Sequence, residues 1–151
     1  MDKDLKKILT KLFERYTFKL TAEGTIKSVY YIVKDCALIK VENTGDNFDA
    51  YLAYVLYQAQ TLRADGLIYI FENVVFLGDG NDNVIQSMKA GHIRVEEHPD
   101  SSPYLILTYL AATGEREALV GKIEKDPSGK KFIVEQEWAE EISFQEQPGS
   151  K

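Results

Sequence analysis

The chain has 151 residues, 44% of them hydrophobic and 28% charged, with only four prolines and ten glycines. That is the size and composition of one globular domain, and it argues against disorder along most of the chain. A net charge of −6 gives an acidic body that repels phosphate backbones, which disfavours nucleic-acid binding.

Cys36 is the only cysteine, so no intramolecular disulfide can form. The N-terminus lacks the apolar core of a signal peptide, and no apolar run approaches the ~20 residues that cross a bilayer. A cytoplasmic protein is expected.

Residues 2–16 read as an amphipathic helix, with Leu5, Ile8, Leu9, Leu12, Phe13 and Tyr16 at helical spacing and the lysines opposite. Asp2 suits the N-cap. Residues 1–20 carry six basic side chains against three acidic ones, a balance of +3, so the rest of the chain carries −9. This basic face is a weak signal for an anionic membrane, and solvated lysines are the expected reading.

Residues 25–33 and 36–42 read as two strands joined by a turn at Lys34-Asp35, with Cys36 a small half-buried residue at the start of the second. The cluster 43–47 then offers Asp46 or Asn47 as the cap of a helix over 47–64, with Arg63 in its last turn and Gly66 just beyond as the stop signal. Strands follow at 67–71 and 74–77, either separate or continuous through Glu72-Asn73. Further strands are expected at 92–97, 104–112, 117–125 and 131–138, the last three forming an antiparallel meander.

The helix at 47–64 is the most informative segment. Steps of 100° place Phe48, Tyr51, Leu52, Val55, Leu56, Ala59 and Leu62 on one side, an expected core face. The other side holds Ala50, Ala53, Tyr54, Tyr57, Thr61 and Ala64, and no charged residue stands between Ala50 and Leu62. A surface helix normally carries lysines and glutamates there. The helix is therefore covered on both sides by its own fold, or that second face meets another chain, or it walls a ligand pocket. Tyrosine suits an interface because it buries a large area and keeps a hydroxyl.

Other candidates read as structural. Asp79, Asn81 and Asn83 begin a calcium-loop pattern, but Val84 replaces its glycine and Ala90 its bidentate glutamate. His92 and His98 lie about 20 Å apart on an extended strand, too far to share an ion. Glu96–Glu97 and Glu140–Glu141 point to opposite sides if extended. No phosphate-loop, dinucleotide, nucleophile-elbow or C-x-x-C motif occurs. No catalytic residue, metal or cofactor is assigned.

The expected fold is α+β, with an N-terminal amphipathic helix, a β-hairpin, an apolar central helix on a mostly antiparallel sheet and a C-terminal β-meander. Both helices are expected on one sheet face, in a single domain over 1–144 with a frayed tail at 145–151. The early element order resembles that of small roadblock- or profilin-like adaptors. A sheet around an apolar helix resembles hot-dog proteins, whose enzymes imply a catalytic carboxylate near the helix, where this chain offers only Asp49. Neither resemblance rests on a residue motif.

The leading expectation is a non-enzymatic protein-binding or adaptor module, a homodimer or partner-binding protein using Ala50, Ala53, Tyr54, Tyr57 and Thr61. The alternative is a small-molecule-binding protein or enzyme with an apolar pocket between central helix and sheet, to which Tyr30, Tyr69 and Tyr109 would add hydroxyls.

Overall fold

The computed structural model describes residues 3–43, 45, 47–76, 102–139 and 143–144. The expected strand at 92–97, the calcium-like loop and both histidines lie outside these residues. Helix α1 spans Lys3–Glu23, followed by β1 (Val29–Lys34), β2 (Ala37–Val41), α2 (Phe48–Leu62) and β3 (Gly66–Phe76). The chain continues through β4 (Ser102–Ala111), β5 (Arg116–Lys125), β6 (Lys131–Ala139) and the short β7 (Ser143–Phe144). The α+β class, the hairpin and the closing meander are as expected.

All described strands lie in one antiparallel sheet of order β2-β1-β3-β4-β5-β6, with β7 beside the far end of β3. Both halves of the chain thus share one sheet. Glu72 and Asn73 do not turn the chain, because β3 runs unbroken past them, opposite Leu105 and Tyr104.

The helices lie on opposite faces of this sheet, not on one. Along β1 the side chains alternate. Val29, Tyr31 and Val33 join the core under α1, whereas Tyr30 and Ile32 pack with Tyr51 and Val55 of α2. Every apolar position of β1 is spoken for, which is why 29–33 reads as a continuous apolar run.

Helix α1 is the larger anchor. Leu5, Leu9, Leu12, Phe13, Tyr16 and Leu20 are buried against Ile68, Ile70, Leu105, Leu107 and Leu119. The helix extends a further two turns beyond Tyr16. Thr10, Thr17 and Thr21 return their hydroxyls to carbonyls one turn back, at 2.8, 3.1 and 3.2 Å. Gly24 ends it at φ 82°, its N–H donating to the Leu20 carbonyl.

The sheet curls around α1. Lys131 on β6 reaches across to Glu72 on β3 at 3.2 Å, and Glu72 also accepts from Thr25 Oγ1 and the Ile26 N–H. Gly121 lets the helix sit close, since a Cβ there would lie 2.3 Å from Ile133 and 3.1 Å from Phe13. The helix inside the curl is thus α1 rather than the apolar central one. On the other face a second buried cluster, Phe71, Ile106, Ala118 and Val120, continues the apolar layer away from α2.

Candidate interaction surface

Asn47 caps α2, its side-chain oxygen accepting from the Ala50 N–H at 3.1 Å. Of the two residues in the stop signal, Arg63 is the one that ends the helix. Arg63 takes the left-handed conformation at φ 52°, and the Ala64 N–H closes back onto the Ala59 carbonyl at 2.9 Å. Gly66 already belongs to β3, where a Cβ would meet Tyr109 at 2.6 Å and the Leu110 carbonyl at 2.8 Å.

The hairpin turn is Asp35-Cys36, one residue later than expected. Both residues stand at positive φ, 50° and 62°, the pattern of a two-residue turn that matches strand twist. Moving the turn by one residue shifts the pairing register by two, so it leaves unchanged which side chains share a face. Cys36 is consequently an exposed turn residue rather than a half-buried strand residue. The turn is tied to the end of α2, because the Asp35 N–H donates to Asp65 Oδ2 at 2.7 Å and Lys34 Nζ to the Arg63 carbonyl at 3.0 Å.

Two devices seat α2 on the sheet. One is an aromatic row. Tyr30 and Tyr69, cross-strand partners, stack at 4.4 Å between centroids, Tyr69 stacks on Phe71 at 4.7 Å, and Tyr51 meets Tyr30 edge-on at 5.5 Å. The other is a hydrogen-bond relay. The Tyr30 N–H donates to the Tyr51 hydroxyl at 2.8 Å, and that hydroxyl donates to the Val41 carbonyl at 2.6 Å. Tyr30 and Val41 are ladder partners, so the phenol stands in for one rung where β2 parts from β1. Burial raises the pKa of Tyr30, Tyr51 and Tyr69 above the ordinary tyrosine value. They stay neutral through the physiological range and act as hydrogen-bonding groups rather than bases.

The buried stripe of α2 is narrower than its apolar pattern. Tyr51 and Val55 are buried and Leu52 and Ala59 partly so, but Phe48, Leu56 and Leu62, expected in the core, are exposed. Of the six residues assigned to the second face, Ala50, Ala53, Tyr54, Tyr57 and Thr61 are exposed too, Tyr54 by 54% and Tyr57 by 64%, whereas Ala64 is partly buried. The described residues leave this face open.

A groove of about 600 Å³ runs between α2 and β2. Ala50, Tyr54, Gln58 and Leu62 form its helix wall, with Ile39, Lys40 and Val41 opposite and Ile32 and Tyr51 also lining it. Tyr30 and Tyr69 are outside this lining, and Tyr109 lies on the α1 face, so the three hydroxyls suggested for one cavity are not brought together. Reading the helix alone missed the contribution of β2. Its signal was Ile39, an apolar residue on a half-polar edge strand.

Among the described residues no group of three His, Cys, Asp or Glu is placed to hold a metal ion, and no helix is long and apolar enough to cross a membrane. Comparison with family models, with curated proteins and with solved structures finds no significant match.

Proposed function

We propose that this protein is a non-enzymatic binding module that self-associates through the uncharged face of α2. The observation that supports this is a fifteen-residue helix that buries only Tyr51 and Val55 and offers Tyr54, Leu56 and Tyr57 to solvent. Contiguous apolar surface of this kind, without the charges that solubilise a helix, is characteristic of protein contacts. A reducing compartment such as the cytoplasm suits the exposed thiol of Cys36.

The test is native mass spectrometry of the wild type and of a Tyr54→Glu/Tyr57→Glu variant, with circular dichroism to check folding. The wild type should be dimeric and the folded variant monomeric. Unchanged assembly in a folded variant rejects the reading.

The groove gives a second reading some support, since 600 Å³ lies within the range of small-molecule sites, about 300–1,000 Å³. A monomer that retains extra, removable mass would favour it.

A further inference from the structure

We infer that the second copy docks edge to edge, β2 against β2 about a two-fold axis at Ile39, so that two sheets become one and two α2 helices lie side by side on it. This rests on the self-association proposed above and specifies its geometry.

The backbone supplies the first argument. With a two-residue turn at 35–36, the pairs Lys34–Ala37, Ile32–Ile39 and Tyr30–Val41 exchange hydrogen bonds, and the alternate pairs do not. The relay through Tyr51 at the Tyr30–Val41 rung agrees with this alternation. Leu38 and Lys40 therefore turn their N–H and C=O groups to the open edge. A two-fold at Ile39 pairs Leu38 with Lys40 of the other copy, twice, and uses all four groups of each strand. Centring it on Lys40 would set like charges opposite each other.

The two free edges of the sheet supply the second. Among the described strands, β6 is the other edge, and it is defended. Its ladder is interrupted between Val120 and Lys122, Glu135 sits at φ 55°, and Lys131, Glu135 and Glu137 line it. Bulges and charges are how edge strands avoid pairing. Strand β2 has an unbroken register, a single charge and an isoleucine left 40% exposed.

The helices supply the third. Helix α2 packs over β1, so the two-fold sets the helix axes three strand spacings apart, about 14 Å. A helix with its side chains is about 10–12 Å across, leaving a gap that large residues fill and alanines alone would not. Tyr54 lines the groove and leans over β2, whereas Leu56 lies on the other flank. The exposed parts of Ile39, Tyr54, Tyr57 and Leu62 amount to roughly 450 Å² per copy, to which the strand edge adds, against about 600–1,000 Å² per partner in stable interfaces.

The experiment is disulfide trapping in a Cys36→Ser background. Cysteines at a non-hydrogen-bonded antiparallel pair stand about 4.5 Å apart at Cα, within disulfide reach. Ile39→Cys should crosslink into a dimer on mild oxidation, and Leu56→Cys should not. In the unaltered protein, the Leu38 and Lys40 amides should exchange with deuterium at least tenfold more slowly in the dimer than on dilution to monomer. A dimer in which Leu56→Cys crosslinks, Ile39→Cys does not and those amides exchange freely overturns the edge pairing while leaving self-association standing. A wild type that is monomeric at tens of micromolar overturns both.

Discussion

The two helices solve the same problem in opposite ways. Helix α1 buries six large side chains in the hollow of the sheet and keeps its lysines outside, with Lys6 over the Trp138 ring at 5.2 Å and Lys19 by Glu23 at 4.0 Å. Helix α2 is the more apolar in sequence yet buries two residues and has almost no charge to show to water. Hydrophobicity alone therefore does not say which helix a fold uses for its own core. A helix with a sharp boundary between apolar and charged faces is finished by its sheet. One without that boundary is left with surface for something else.

The largest expected effect breaks the α1 side of the comparison. Phe13 is fully buried, against Gly121 and the β5–β6 strands. Phe13→Ala should cost about 3–5 kcal/mol through lost transfer energy and an unfilled cavity, a fall of roughly 10 °C or more in melting temperature at this chain length. Thermal and urea denaturation measure it. A loss below about 1 kcal/mol would mean that α1 is not the helix around which this sheet closes.

A smaller effect sharpens the α2 side. Tyr51 holds its helix by a single hydroxyl between the Tyr30 N–H and the Val41 carbonyl. Tyr51→Phe keeps the ring and removes the relay, taking from the Tyr30 N–H and the Val41 carbonyl their hydroxyl partner, at a cost of about 1–3 kcal/mol. The loss should localise. Hydrogen exchange at Tyr30 and along β2 should rise more than exchange in β4 or β5. A uniform increase across the sheet would show that α2 and the hairpin do not form a separable unit.

These contrasts mark what was legible from residues alone. The apolar periodicity of α1, the meander and the uncharged stretch of α2 could be read because each is a local pattern. The opposite placement of the helices was written only in β1, where Val29, Tyr31 and Val33 alternate with Tyr30 and Ile32, all of them apolar and so without a polar marker of face. The Asp35-Cys36 turn was hidden because two non-glycine residues at positive φ have no sequence signal, and contacts from Asp65 and Arg63 hold them there. Assigning seven residues to the core face of α2 assumed that an apolar side chain finds cover. Phe48, Leu56 and Leu62 find it only in part, and stay 38–45% exposed.

The smallest effect compares two exposed aromatics. Phe18 on α1 is 77% exposed and Tyr57 on α2 is 64% exposed, so accessibility alone would rank Phe18 as the better contact. Their neighbours differ. At helical spacing Phe18 stands among Lys7, Lys11 and Arg15, which keep the surrounding surface hydrated, and a single apolar side chain in such a setting is ordinary. Tyr57 stands among Ala50, Ala53, Tyr54 and Thr61, where nothing charged interrupts the patch. Phe18→Ser should therefore change stability by no more than about 0.5 kcal/mol and leave the oligomeric state as it was, measured by denaturation and light scattering on the same sample. If Phe18→Ser instead dissociates the assembly, the contact surface lies on the basic face of α1, and the contrast between the helices has been drawn the wrong way round.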